Sequence, residues 1–334
     1  MHCDSRLKSV KKIMENHRLD TLFITQKEDI FYYSGWKASE GNILVINRHQ
    51  KPTLFVSPLE QDAQKLRSVH TIYLGKKEDL LKELRASKSV GYDEYNLSAN
   101  RFTLLHKLPI KLRRASEIIK KPKEVKDSWE LGQIRKAVSI SKKVFEKSTG
   151  KIYGKSERAL ANKIEAGFIL HEAEKAFDTI VSCGSEGIHH QPSGNLIKKT
   201  RPTIVDFGAR FNWYCCDITR TFAGTSKEWK TTKEAVKNIQ EEIIDFVKPG
   251  VGMEDIKKLY EKLMTKHKYK IQYSFGHGIG LEVHEQITGK LKENMVITVE
   301  PGVYKHSGGC RIEDTILVKK GKAEILTKSI KHGL

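Results

Sequence analysis

Apolar residues fall on two rhythms along this chain. In the first third, DTLFITQKEDIFYYSGW, GNILVINRHQKPTLFVS and HTIYLG set short β-branched and aromatic runs against polar, helix-like text such as PLEQDAQKLRS. Strands alternating with helical text predict an α/β unit. Between residues 112 and 124 the sequence passes from strand-like text through a charged, proline-marked segment into helix. We place a boundary there, giving domains 1–118 and 119–334 of a chain long enough for two cores. Beyond it, Ile134, Ala137, Val138, Ile140, Val144 and Phe145 recur near the helical period. Ser156 is placed to N-cap a helix through ERALANKIEAGFILHEA, and two further amphipathic helices are predicted over 228–247 and 253–267. Helices then hairpin, followed by helices and hairpin again, fit an α+β domain whose sheet is covered by helices on one side.

The hairpins carry charges that a sheet interior does not ordinarily hold. VDFGARFNWYCCDITRTF reads as two strands, and a tight turn centred on Phe211-Asn212 sets Asp206 opposite Asp217. Directly opposed residues have Cβ atoms about 4.5–5.5 Å apart, and like charges at that distance repel unless a proton or a cation lies between them. Two solvated aspartates on an edge hairpin are the plainer alternative. MVITVEPGVYKHSGGCRIEDTILV repeats the pattern, with Glu300 and Glu313 symmetric about His306-Ser307. Four carboxylates brought together in one sheet require cations. Between the hairpins, YSFGHGIGLEVHE holds His277 flanked by Gly276 and Gly278, with His284 following. Glycines there let the backbone turn sharply or pass close to a ligand. A lone histidine is an ordinary core or surface residue. An oxygen-rich set with one imidazole instead suits two divalent ions such as manganese, cobalt, iron or zinc.

Charge and cysteine content change the picture only at its margins. A formal net charge of +19 raises nucleic acid as a partner. The lysines, however, spread over almost every predicted helix and turn without an aromatic-interleaved stripe, as on solvated faces, so nucleic-acid binding is not expected. The 5 cysteines include no CxxC pair, and no secretion signal is apparent; a reduced, cytoplasmic protein is expected. Cys216, next to Asp217, points to the opposite strand face and is expected to pack. No segment is apolar for the roughly 18 residues of a membrane span, so no membrane association is expected.

The ordered motifs VDFGA, DITRTF, GHGIGLEVHE, EPGVY and RIEDT closely resemble the pita-bread metallopeptidases, in particular their proline-peptidase branch of Xaa-Pro dipeptidases and aminopeptidases P. The resemblance implies a C-terminal pita-bread catalytic domain behind a creatinase-type N-terminal domain, which methionine aminopeptidases lack. It implies two divalent ions per subunit, manganese or cobalt first and zinc or iron as alternatives. Their ligands by resemblance are Asp206, Asp217, His277, Glu300 and Glu313, with Asp217 and Glu313 bridging. Glu300 would also move the catalytic proton, and His284 and His189 would contact substrate and stabilise the oxyanion; His190 is the second choice to His189. Arg311 would orient carboxylates or substrate; Thr219, two residues past Asp217 on the same strand face, is placed to hydrogen-bond a ligand, with an ordinary strand-favouring threonine as the plainer alternative. A homodimer is implied, with the loop around Gly35-Trp36-Lys37 reaching the partner's site and Trp36 touching substrate; packing of Trp36 within its own domain is the plainer alternative.

The expected activity is hydrolysis of the Xaa-Pro bond at a free N-terminus, foremost in dipeptides. Alternatives are Xaa-Pro cleavage in longer peptides, a broad or methionine-type aminopeptidase, and a non-enzymatic binding module. This last form generally loses metal ligands, whereas all five are present here. HEQITGKLKENMVITVE departs from the branch: it runs almost at once into the next strand, without the usual proline and longer loop, leaving room for longer peptides.

Overall fold

The computed structural model describes residues 3–73, 77–184 and 191–330. The chain divides into two compact units, Met1–Lys123 and Glu124–Leu334.

The first unit runs α1 (Cys3–Asn16), β1 (Thr21–Ile24), α2 (Lys27–Ser34), β2 (Ile43–Asn47), β3 (Thr53–Val56), β4 (His70–Tyr73), α3 (Lys77–Arg85), β5 (Ser89–Tyr92), α4 (Ala99–His106), β6 (Lys111–Arg114) and α5 (Ser116–Lys120). Its six strands form one mixed sheet in the order β4-β3-β2-β1-β5-β6. β1 to β3 pair antiparallel, whereas β4, β5 and β6 join their neighbours in parallel. The central strands are buried along almost their whole length, and Phe23, Val45, Phe55, Leu84 and Val90 form part of one core. A boundary at 118/119 was expected; here α5 and the following turn through Lys123 belong to the first unit. The buried Lys123 ammonium donates to Asp29 of α2, and Tyr33 donates to the Ile119 carbonyl.

The second unit runs α6 (Ser128–Thr149), α7 (Glu157–Ile169), β7 (Glu174–Lys175), β8 (Ile180–Cys183), β9 (Thr203–Phe207), β10 (Ala209–Phe211), β11 (Tyr214–Cys215) and β12 (Ile218–Phe222). A second set follows: α8 (Lys227–Phe246), α9 (Met253–Lys266), β13 (Val296–Val299), β14 (Gly302–Lys305), β15 (Gly308–Arg311), β16 (Asp314–Leu317) and β17 (Glu324–Ile325). Local chemistry starts the helices where the pattern places them. Asp127 and Glu130 make a reciprocal capping box for α6, while Ser156 and Ser226 accept from Ala159 N and Trp229 N to cap α7 and α8. The apolar faces of α6 and α7 pack on β8, β9 and β12 through Val144, Phe145, Leu160, Ile164, Val205, Phe207 and Ile218. Those of α8 and α9 pack on the second hairpin through Val236, Ile239, Ile243, Ile256, Ile297, Val299 and Ile316. At about 1.5–3 kcal/mol for each fully buried large side chain, such faces hold the helices where propensity alone would not.

One expected register is corrected. Across β9 and β12, Asp206 lies opposite Thr219, and Asp217 falls just before the ladder rather than opposite Asp206. The reason is the turn: Phe211 pairs with Tyr214, so the tip is Asn212-Trp213, both left-handed with φ of 45° and 72°. This places the turn one residue later than expected. Asn tolerates that conformation well, and the Trp213 ring lies under the Arg210 guanidinium at 5.2 Å. In the second hairpin Val299 pairs with Asp314 and Gly302 with Arg311, which sets Glu300 and Glu313 opposite each other between the two short ladders, as expected.

Candidate metal centre

The two hairpins meet along β12 and the β15–β16 strand, and the joint is stitched by threonines. Thr315 Oγ1 donates to the Asp217 carbonyl at 2.8 Å, Glu313 N donates to the Thr219 carbonyl at 3.1 Å, and Thr221 Oγ1 donates to the Arg311 carbonyl at 2.7 Å. Residues from the two halves thus alternate side by side, and alternation turns Asp217, Arg311 and Glu313 toward one cavity. That cavity, about 530 Å³, is lined by Asp206, Asp217, His277, His284, Glu300, Arg311 and Glu313, with Phe177, Ile180, Tyr273 and Val283 forming apolar wall. Its volume lies in the range of small-molecule sites.

The carboxylates are buried and incompletely satisfied. Asp206 Oδ1, Asp217 Oδ1 and Glu313 Oε1 have no hydrogen-bond partner. Buried polar atoms are almost always paired, so three orphaned oxygens facing one cavity mark the place of a cation. Burial, reinforced by neighbouring carboxylates, drives the Asp217 and Glu313 carboxyls well above their usual range. Burial also pushes Glu300 up to about 7. The imidazole of His277 is pushed the other way, to about 4, again chiefly by burial. Its Nδ1 lies 3.0 Å from the Gly278 carbonyl, which can only accept; the proton therefore sits on Nδ1 and the Nε2 lone pair is free for a ligand. Nε2 is 3.6 Å from Asp217 Oδ2 and 3.5 Å from Glu300 Oε1. Asp217, His277 and Glu313 offer ligand atoms within 4.8 Å of one another. Neutral imidazole and clustered carboxylates form a donor set that fits divalent ions of borderline hardness.

Arg311 supplies the fixed positive charge. Its guanidinium donates to Asp206, to Thr219 Oγ1 and to the Tyr304 hydroxyl, so its described contacts orient a carboxylate. Thr219 Oγ1 in turn donates to Glu313 Oε2 at 2.8 Å. Gly276 is required by space and conformation: at φ +149°, a Cβ there would stand 2.1 Å from the Thr298 carbonyl oxygen. His277 and His284 rings meet edge to face with centroids 4.2 Å apart. Cys216 packs in the core of the first half, and all five cysteines are free thiols.

His189 and His190 fall outside the described residues. Trp36 belongs to the first unit, where its indole donates to Asn42 Oδ1 at 2.9 Å. Sequence reasoning missed Tyr304, although EPGVY places it in a motif and in alternation with Gly302. It also missed the buried support behind the carboxylates. Arg220 donates to the Glu313 carbonyl and to Asp314 Oδ1, and Gln240 of α8 donates to the Val299 and Ile312 carbonyls that precede Glu300 and Glu313. An arginine within DITRTF could have signalled the first contact, and the spacing of Gln240 from Val236, Ile243 and Ile244 puts it on the apolar face of α8, where a polar side chain needs a buried partner.

Comparison with known proteins bears directly on this centre. Residues 132–320 match the profile of Metallopeptidase family M24. The chain belongs to that family. Residues 6–122 match the Creatinase/Prolidase N-terminal domain, giving this M24 peptidase the two-domain order of creatinase-type unit followed by catalytic unit. It is similar to an Xaa-Pro dipeptidase of Pyrococcus furiosus, 32% identical over 97% of this chain and 98% of the relative. The solved prolidase of Pyrococcus horikoshii superposes with a TM-score of 0.90 at 30% identity, covering 97% of this chain and 98% of that one. An X-Pro aminopeptidase of Thermotoga maritima reaches 0.87 at 27% identity, over 98% of each chain. The M24 assignment makes the protein a metallopeptidase that uses divalent ions. No helix among the described residues is long and apolar enough to cross a membrane.

Proposed function

We propose that this M24 metallopeptidase is an Xaa-Pro dipeptidase, hydrolysing the bond before proline at a free N-terminus with two divalent ions, manganese or cobalt. The observation that carries the metal chemistry is the set of orphaned oxygens on Asp206, Asp217 and Glu313 facing one cavity. The substrate class rests on similarity over nearly the whole chain to proteins named Xaa-Pro dipeptidase and prolidase.

Asp206, Asp217, His277, Glu300 and Glu313 would hold the ions. Bound there, divalent ions neutralise the carboxylates, polarise the scissile carbonyl and lower the pKa of water. Glu300, on the cavity wall, would take the proton of the attacking water and return it to the proline nitrogen. His284, at the cavity wall beside His277, donates to the oxygen that gains negative charge, and His189 is assigned the same duty. Arg311 holds the Asp206 carboxylate in line. The apolar wall of Phe177, Ile180 and Val283 receives substrate side chains. A reducing compartment such as the cytoplasm suits five free thiols. A homodimer in which Trp36 reaches the partner's substrate completes the proposal, and sedimentation of wild type tests the dimer.

A second reading, Xaa-Pro cleavage in longer peptides, is favoured by the short run from His284 to β13 and by the likeness to an X-Pro aminopeptidase. Protein purified without chelators should contain metal and, supplied with manganese, cobalt or zinc in turn, should cleave Met-Pro faster than Met-Pro-Gly, with Met-Ala-Gly resistant. Faster cleavage of Met-Pro-Gly would establish the second reading, and preference for Met-Ala-Gly would overturn both.

A further inference from the structure

The loop that carries both cavity histidines is built around the carboxylate of Glu285. Between His277 and His284 the backbone doubles back: Gly278 N donates to the Glu285 carbonyl at 3.1 Å, and Glu285 N donates to the Gly278 carbonyl at 2.8 Å. The Glu285 side chain then folds inside the loop it closes, where Oε1 accepts from Leu281 N at 2.9 Å. The glycines of GHGIG make room for it. A Cβ at Gly280 would stand 2.5 Å from Glu285 Oε1, and one at Gly278 would stand 2.6 Å from the Glu285 carbonyl oxygen. The far side of the loop is pinned to β11, since Cys215 N donates to the Gly280 carbonyl at 2.7 Å.

The other oxygen of Glu285 meets a cation from the opposite end of the unit's sequence. Lys126 Nζ donates to Glu285 Oε2 at 2.8 Å, with side-chain exposures of only 2% and 7%. Lys126 lies on a short strap, residues 124–126, that crosses this region at several points. Val125 bridges Met295, Lys126 N donates to the Asn294 carbonyl at 2.9 Å, and Glu124 Oε1 accepts from both Thr288 N and Thr288 Oγ1. Two long, flexible side chains have been taken out of water to hold one loop conformation. Such pairs contribute little net stability relative to apolar replacements, yet they fix geometry and are costly to break on one side.

We propose that Glu285, anchored by Lys126, is a positioning residue for the reaction: it sets the loop that aims His284 at the substrate carbonyl and holds His277 toward the carboxylates. This rests on the peptidase reading above. A misplacement on the scale of an ångström lowers turnover about 100-fold where geometry is decisive, so loss of the pair should act on kcat more than on KM.

The test separates positioning from mere stability. Lys126→Met and Glu285→Gln each leave one charge buried and unpaired, and should lower both the melting temperature and kcat. The double variant has no orphaned charge and retains an oxygen for Leu281 N. It should melt near wild type and bind metal fully, while kcat stays about ten-fold or more below wild type. A double variant with wild-type kcat would overturn the proposal, because the pair would then be only structural. Should it fail to fold, Glu285→Asp keeps the charge but shortens the arm that spans Leu281 N and Lys126; undiminished kcat in that variant also overturns the proposal. Wild type assayed alongside keeps the two readings apart. If wild type cleaves no proline peptide, the peptidase reading fails. Positioning is then read from the imidazole resonances of His277 and His284 in metal-loaded protein, which must shift in the double variant; unshifted resonances refute it.

Discussion

The hydroxyl of Thr219 donates to Glu313 Oε2 at 2.8 Å while accepting from Arg311 Nε at 3.1 Å. One small side chain on β12 thereby joins the first hairpin to a carboxylate and a guanidinium of the second. The same guanidinium reaches back to Asp206. The relative placement of the two hairpins, and with it the spacing of the carboxylates, runs through this residue. Thr219→Val keeps shape and volume but removes both hydrogen bonds, leaving buried partners unsatisfied at about 1–3 kcal/mol. It should weaken metal binding and lower kcat/KM about ten-fold, with Thr219→Ser close to wild type. Metal titration and steady-state kinetics check this, and equal activity in both variants would remove Thr219 from the assembly.

Glu313→Gln and Asp217→Asn should each abolish activity and sharply reduce bound metal while the fold persists. Each substitution removes a ligand charge but also relieves repulsion among the buried carboxylates, which raise one another's pKa. Elemental analysis beside circular dichroism reads the two effects separately. Retained metal and turnover in Glu313→Gln would sink the dinuclear arrangement.

His284→Ala should reduce kcat by about 100-fold or more, on the scale of one lost oxyanion donor, with metal content unchanged. Loss of metal in that variant would make His284 a ligand instead.

Metal-free protein should lose stability as pH rises. Glu300 has a folded pKa of about 7 against an ordinary 4.5, so its contribution is fully present below 4.5 and is lost as pH climbs through 7. Asp217 and Glu313, raised well above their ordinary values, act in the same direction. His277, lowered to about 4 from 6.5, opposes them: its contribution is gained between those values. Three carboxylates outweigh one imidazole, so the melting temperature of chelator-treated protein should fall between pH 4.5 and 7.5, and saturating manganese should abolish the fall. A metal-free melting temperature that rises through this range would contradict the buried-carboxylate account.

Much of this centre is written into local pattern. The amphipathic helices α6 to α9, the caps at Ser156 and Asp127 and the alternation of helices with hairpins follow from spacing and capping chemistry, which act over a few residues. The opposition of Glu300 and Glu313 is equally local, because the hairpin closes symmetrically about His306-Ser307. The first hairpin shows where local reading stops. Asn212 and Trp213 adopt left-handed geometry together, and a turn displaced by one residue moves Asp206 from Asp217 to Thr219. Sequence cannot choose between adjacent turn centres when the favourable Asn fits either. The meeting of the two hairpins was decided only in three dimensions. Thr221 against Arg311, Thr219 against Glu313 and Thr315 against Asp217 are contacts between segments some ninety residues apart. So were the clamp of Gln240 on the carbonyls before both glutamates and the reach of Lys126 across the chain to Glu285. Residue types and local spacing determined which groups this protein has to offer a metal. Burial, which turns those groups into orphaned acceptors with displaced pKa values, exists only once distant segments exclude water from between them.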